Sequence, residues 1–397
     1  MPADTDVPLI FVIAGEPSGD VLGGALMAAL RERTGGAVRF AGIGGEHMAK
    51  EGLRSLVPLH ELAIMGITEV LPRARQVLQR VRETADTVMA MQPAAVVTID
   101  SSGFTWRIAQ RLRERGERVI LIHYVAPMVW AWRASKARKI ARWYDHLMTL
   151  LPFEPPYFTA VGLSCRYVGH PVLESGAERG DGAAFRCRYR IPAEAQVLCL
   201  LPGSRRGEVG RLLPIFRQTV EALLRRRPGL VLVLPTIELV ADAVGEATRN
   251  WPVPVTIVRG VPEKFAAFAA SDVALAASGT VLLELAMAEL PAVVAYKMNP
   301  LTGWLARRLV KSHYVNLVNI TLDRLVVPEL LLEECTPDRL SLALEDLLGN
   351  EAARAAQVAG YRESLVRLGR GGIAPSLRAA DDVLAVMRER GITGLVE

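Results

Sequence analysis

Cysteine is scarce in this 397-residue sequence: Cys165, Cys187, Cys199 and Cys335 are the only four, and no two of them form a CxxC pair. That excludes a zinc ribbon and a disulfide-stapled scaffold, and it fits a reducing cytosol. Aromatic residues are only 6% of the chain while apolar residues reach 51%. Such Ala/Val/Leu-rich packing suits α/β layers rather than a β-sandwich. The six histidines are scattered, and no HExxH occurs. No metal site and no cofactor are therefore expected. The longest nearly apolar run, residues 119–132, contains His123 and Pro127 and is too short to span a bilayer. The first residues carry two acids and no basic stretch, and residues 9–14 are expected to form a first strand rather than part of a signal peptide. Charge of one sign is also missing in bulk. The formal net charge of +5 is too mild for a nucleic-acid binder, yet it suits an anionic substrate or an anionic membrane surface.

What is present is alternation. In the first half, apolar runs at 9–14, 38–43, 95–99, 119–124 and 146–150 are separated by segments of helical period at 21–33, 71–91, 107–115 and 134–143. Strands alternating with helices predict parallel βαβ units. Residues 175–183, rich in Gly, Glu, Asp and Ala, read as a linker. A second series follows, with strands at 197–201, 230–234, 255–258, 273–276 and 292–296, helices at 212–225, 263–270 and 281–287, and a helical tail from 337 to 390. The fold class expected is α/β, two doubly wound Rossmann-like domains facing each other across a cleft. The domains are placed at 1–173 and 174–365, with a tail at 366–397. The tail has two open placements: packed back on the first domain, or exchanged between the chains of a homodimer.

Four loops carry chemistry-bearing residues at strand ends. Gly15-Glu16-Pro17-Ser18-Gly19-Asp20 follows a strand and opens a helix, where glycine lets the backbone turn tightly and free N–H groups attract anions. It is not GxGxxG, and no acidic ribose ligand stands about 20 residues on, so it is not read as a dinucleotide fingerprint. The plain alternative is a turn capped by Ser18 or Asp20. Asp100 ends the strand AAVVTID ahead of Ser101, Ser102 and Gly103, where a carboxylate can take a proton from a substrate hydroxyl; the alternative is again a helix cap. Leu201-Pro202-Gly203-Ser204-Arg205-Arg206 makes a phosphate loop in which Arg205 or Arg206 offers a forked cation to a diphosphate. Ser278-Gly279-Thr280 leads into a helix bearing Glu284, a candidate acceptor of ribose hydroxyls; the alternative is a Ser/Thr cap with a surface glutamate. Trp130 and Trp132 read as packing residues. Arg133, Lys136, Arg138, Lys139 and Arg142 read as a solvated face or a phosphate-facing one. Residues 64–71 (IMGITEVL), with Arg73, Arg75 and Arg80, form a candidate interfacial patch, the alternative being ordinary core beside a solvated face.

Taken in order, GEPSGD, MGITEVL, VAPMVWAWR, LLPFE at 150–154, YVGHP at 167–171, LPGSR, ASGTVLLE and VPELLLEEC resemble the lipid-A-disaccharide synthase family over nearly the whole chain. The resemblance implies a GT-B-like fold. It also implies an inverting hexosyltransferase that needs no metal and joins UDP-2,3-diacylglucosamine to 2,3-diacylglucosamine 1-phosphate through a β-1,6 link, releasing UDP. It implies a peripheral protein on the cytosolic face of a Gram-negative inner membrane. By position, Asp100 is similar to the family's proposed base, and Glu16 is the second choice. Ser204, Arg205, Ser278, Gly279, Thr280 and Glu284 fall on the UDP side. Asn319 matches an asparagine linked to activity and is expected to contact the nucleotide sugar. Gly15, Ser18, Gly19 and Asp20 fall on the acceptor side. Two departures stand out. Ser101-Ser102-Gly103-Phe104 replaces the family's Pro-Asp-Phe run, which removes a second carboxylate. Ile320-Thr321-Leu322-Asp323 stands where members often have Leu-Leu-Ala-Gly. The alternative enzyme is another GT-B member acting on a UDP-N-acetylhexosamine, either a 2-epimerase or a murein-lipid glycosyltransferase.

Overall fold

The structure is a computed structural model that describes residues 7–62, 67–131, 135–298 and 312–394, without the side chains of 67–74. The chain divides into two compact units, Met1–Pro171 with Gly371–Glu397, and Val172–Arg370.

The first unit holds strands β1 (Leu9–Ala14), β2 (Arg39–Ile43), β3 (Ala95–Ile99), β4 (Ile120–Tyr124), β5 (His146–Thr149) and β6 (Ser164–Tyr167). Its helices are α1 (Pro17–Arg33), α2 (Glu46–Lys50), α3 (Ile67–Met91), α4 (Thr105–Glu114), α5 (Ser135–Ile140) and α6 (Pro155–Thr159). The strands form one sheet in the order β2-β1-β3-β4-β5-β6, with every neighbouring pair parallel. Every residue of β3 and β4 is buried, as a sheet covered by helices on both faces requires. One face packs Val12, Val97 and Ile122 against Leu26, Met27 and the tail residues Val383 and Met387. The other packs Phe11, Val96 and Leu121 against Ala85, Ile108 and Ala109. Burial of each such Val, Leu or Ile contributes about 1.5–3 kcal/mol.

The second unit repeats the pattern with β7 (Val197–Leu201), β8 (Val231–Thr236), β9 (Val255–Arg259), β10 (Val273–Ala277), β11 (Ala292–Tyr296) and β12 (Glu329–Leu331). Its helices are α7 (Gly182–Arg188), α8 (Arg206–Leu224), α9 (Glu238–Thr248), α10 (Val261–Ala270), α11 (Val281–Met287), α12 (Leu317–Leu322), α13 (Pro337–Gly349) and α14 (Glu351–Arg367). The parallel order is β12-β11-β10-β7-β8-β9. The chain then returns to the first unit through α15 (Pro375–Glu389), which packs on α1. There the buried carboxylate of Asp382 meets His146 Nε2 at 2.6 Å and accepts from Arg166 at 3.0 Å.

Two edge strands, β6 and β12, were not expected. Their residues are only partly buried or exposed, so neither shows the continuous apolar run that marks a central strand. Helix α1 begins at Pro17, four residues ahead of the expected start, because proline is compatible with the first helical turn.

Candidate functional site

In each unit the sheet order places one pair of loops where the strand order reverses. In the first unit the reversal lies between β1 and β3, which pair in register up to Ala14 and Ile99. The loop after β1 carries Gly15 and Glu16, and the turn after β3 carries Asp100 and Ser101. In the second unit the reversal lies between β7 and β10, with Leu201 beside Ala276. Pro202 to Arg206 follow β7, and Ser278, Gly279 and Thr280 follow β10. Open α/β sheets take ligands at the carboxyl ends of such strands. All four loops selected from the sequence stand at these two switch points.

Gly15 and the Asp100 turn touch. A Cβ built on Gly15 would lie 2.3 Å from Ser101 Oγ, so only glycine admits this approach. Asp100 and Ser101 both adopt left-handed backbone, with φ of 46° and 47°. That is uncommon for non-glycine residues and costs on the order of 1–3 kcal/mol each. Asp100 is not a helix cap, since α4 starts only at Thr105. Burial raises the pKa of its carboxyl, while the Ser101 backbone amide pulls it back down. Glu16 stands at the N-cap position of α1 but makes no side-chain cap bond, and it is exposed, as is Ser18.

Asp20 has another task. It is 4% exposed, and its carboxylate accepts from the backbone amides of Gly45, His47 and Met48 at 2.6, 2.9 and 3.1 Å. It caps the start of α2. Gly19 is buried under Ala14 and Ile99.

In the second unit Arg205 occupies the N-cap position of α8, and its side chain is 76% exposed with Glu208 at 3.7 Å. Ser204 and Arg206 are exposed beside it, and Gly203 turns with φ of 107°. Thr280 sits at the N-cap of α11 without a side-chain cap bond, next to exposed Gly279 and part-exposed Ser278. Glu284 is paired with Lys264, whose Nζ lies 2.8 Å from both carboxylate oxygens. This partner was not foreseen, because nothing in a sequence links positions 20 residues apart on two helices.

Asn319 requires a correction. It is fully buried, and Oδ1 accepts from the amides of Val326 and Val327 at 2.8 and 2.9 Å. Its Nδ2 donates to Val327 O at 2.9 Å and Glu329 Oε1 at 3.2 Å. Both acceptor sites and both donors are consumed, leaving none for a nucleotide sugar. Asn319 instead fixes the segment leading into β12.

Of the two expected surfaces, residues 64–66 and the side chains of 67–74 lie outside the described residues, as do Trp132 and Arg133. Trp130 is half-buried against Phe153 and donates to Glu154 Oε1 at 3.1 Å. Arg138 and Arg142 are solvated, while the ammonium groups of Lys136 and Lys139 lie over the rings of Trp106 and Trp143, both at 5.5 Å. Among the described residues no group of three His, Cys, Asp or Glu could hold a metal ion, and no helix is long and apolar enough to cross a membrane.

Two all-parallel α/β units with loops paired at both switch points define the GT-B type of fold. Solved structures of that architecture align along nearly the full length. One is an S. aureus MnaA–UDP co-structure, with a TM-score of 0.66 at 11% identity, covering 97% of this chain and 98% of that one. Another is a UDP-GlcNAc 2-epimerase from Neisseria meningitidis bound to UDP-GlcNAc, with a TM-score of 0.63 at 10% identity, covering 96% and 100%. Such low identities carry the fold alone. The family model for lipid-A-disaccharide synthetase matches residues 10–371, and the chain belongs to that family. A lipid-A-disaccharide synthase of Rhodospirillum centenum is 56% identical over 97% of this chain and 96% of its own length.

Proposed function

We propose that this enzyme, a glycosyltransferase of lipid A disaccharide formation, joins UDP-2,3-diacylglucosamine to 2,3-diacylglucosamine 1-phosphate and releases UDP. Membership of the synthetase family over residues 10–371 carries this reading, and the loops at the switch points support it. The second unit holds the UDP moiety. Arg205, exposed at the start of α8, braces the diphosphate as negative charge develops on it, and Ser204 and residues 278–280 line the same side. Glu284, oriented by Lys264, receives ribose hydroxyls. The first unit holds the acceptor. Asp100 takes the proton from its 6-hydroxyl as that oxygen attacks the anomeric carbon, the bond to the diphosphate breaks on the opposite face, and the configuration inverts. Glu16 is the second choice of base.

A 2-epimerase is set aside: its likeness to this chain is one of fold at about a tenth identity, whereas the synthase relatives share about half the sequence. The assay supplies both lipid substrates and follows UDP and disaccharide by mass. Asp100→Asn and Arg205→Ala are each expected to lose about 100-fold or more in turnover while staying folded, the scale of one lost transition-state contact. Near-normal disaccharide formation by either variant removes that residue from the scheme. We further propose that the protein docks on the cytosolic face of the inner membrane through residues 64–71 and their arginines. Val70→Asp/Leu71→Asp is then expected to abolish flotation with anionic liposomes, and equal flotation counts against the patch.

A further inference from the structure

The loops that follow β4 and β5 have an unusual composition for surface connections. Residues 125–131 (VAPMVWA) and 150–153 (LLPF) hold no charged side chain, hydroxyl or amide, whereas connecting segments ordinarily run over the surface and are polar. Folding buries only part of them. Ala126, Val129, Ala131 and Leu151 are buried. Met128 stays 57% exposed, Pro152 is exposed as well, and Pro127, Trp130, Leu150 and Phe153 are partly so. Apolar side chains left together at a surface mark a place where something apolar binds.

The two loops form one surface. The rings of Trp130 and Phe153 meet edge to face with 5.3 Å between centroids. The Glu154 carboxylate is 3% exposed and accepts from Trp130 Nε1 at 3.1 Å and from the Leu151 amide at 3.0 Å, so one buried group ties both loops. Val125 opens the first loop with φ of 82°, left-handed backbone that a β-branched residue rarely adopts. Its amide extends the sheet by donating to Met148 O at 3.1 Å. Such strain persists where surrounding contacts over-determine the turn, and it gathers at ligand-binding sites. The surface also adjoins Asp100. Ile99, Tyr124 and Met148 stand in one row across β3, β4 and β5, and the Asp100 amide donates to Tyr124 O at 2.9 Å. Parallel strands put the Asp100 turn and both loops on the same edge of the sheet, about 5 Å apart from strand to strand.

We propose that the surface formed by residues 125–131 and 150–153 is the acyl-chain subsite of the acceptor, with Met128 as its chief contact and the Glu154–Trp130 bond as the tie that holds it in shape. The inference rests on the reading of a lipid acceptor in the first unit with Asp100 as base. The acceptor's acyl chains hang from the same ring as the hydroxyl that Asp100 deprotonates, so they need an apolar bed beside that base. Neither a bilayer nor a second copy of this chain calls for that neighbourhood.

The test measures KM and kcat for acceptors carrying butanoyl, octanoyl or dodecanoyl chains, dispersed in one detergent at saturating UDP-diacylglucosamine. In the parent, KM falls as the chains lengthen. Full burial of a methionine side chain is worth roughly ten- to a hundredfold in affinity. Met128 is 57% exposed at the outset, so Met128→Ser is expected to raise KM for the dodecanoyl acceptor on the order of tenfold. The butanoyl acceptor suffers less, and kcat stays within about twofold, as loss of a contact equal in ground and transition states requires. Met128→Leu, apolar and of like size, restores the dependence on chain length. Trp130→Phe keeps a ring but cuts the tie to Glu154, and it flattens the dependence in the same way. An equal rise in KM for all the acceptors, or no rise, overturns the subsite. A halved sedimentation mass in Met128→Ser also overturns it and gives the surface to a second copy. Lost flotation on liposomes with an unchanged KM for detergent-dispersed acceptor overturns it in favour of a bilayer. A parent that forms no disaccharide from any of these acceptors overturns the lipid-acceptor reading itself, and the subsite falls with it. An active parent beside insensitive Met128 and Trp130 variants removes the subsite alone.

Discussion

Asn319→Ala separates a structural asparagine from a ligand-binding one. The substitution deletes four hydrogen bonds, to Val326 N, Val327 N, Val327 O and Glu329, in a place with no solvent exposure. At about 1 kcal/mol net for each bond, the loss is about 4 kcal/mol. For a domain of this size, 1 kcal/mol moves Tm by about 2–4 °C, so the second unit should melt about 8–16 °C lower. Asn319→Asp should be worse, since an anionic oxygen would replace the donor facing Val327 O and the Glu329 carboxylate. Thermal melts of the purified enzyme without substrate, read by circular dichroism, give the answer. If Asn319→Ala melts within about 2 °C of the parent (the least that 1 kcal/mol moves) and only its KM for the UDP-sugar rises, the buried-strut argument is wrong.

Much of the fold was legible because parallel sheets covered on both faces write their strands as unbroken apolar runs. LIFVIA, AVVTI, VLCLL and VALAA all fall on strands of the observed sheets. The edge strands were not legible, because SCRY and ELL are short and half solvated. The four loops could be found because a strand end followed by Gly, Ser or Asp has a physical meaning without a partner. What a side chain does there was less legible. Asp20 and Asn319 have residue types that suit ligands equally well and structures equally well. Only the fold reveals that three amides at the start of α2 point at one and that the segment before β12 surrounds the other. Glu284 showed itself as a carboxylate, but its ammonium partner did not. The tail was legible as helix, while the choice between packing back on the first unit and exchange between chains stayed open, since a helix face does not name what it packs on.

The remaining predictions rest on single contacts. Asp382→Ala leaves His146 and Arg166 without their shared carboxylate and should loosen α15 by about 3 kcal/mol, visible as faster proteolysis within residues 371–394; unchanged cleavage would show that apolar packing on α1 suffices. Gly15→Ala should slow turnover about tenfold or more by displacing the Ser101 side chain, and Gly15→Ala/Ser101→Gly should recover most of it; a full-rate single variant would mean the two loops yield freely. Glu154 gives a pH dependence. It is 3% exposed, and burial raises its pKa from 4.5 to about 7, against the pull of the Leu151 amide and Trp130 Nε1. A carboxyl with a raised pKa in the folded state stabilises fully below the unfolded value of 4.5. As pH climbs towards 7 the unfolded chain sheds its proton first, and that stability is lost, on the order of 3 kcal/mol by pH 8. Glu154→Gln cannot ionise, so its unfolding free energy should lose less between pH 5 and pH 8 than the parent's does. Urea melts at the two pH values measure this, and an equal fall in both proteins would place the titrating group elsewhere than Glu154.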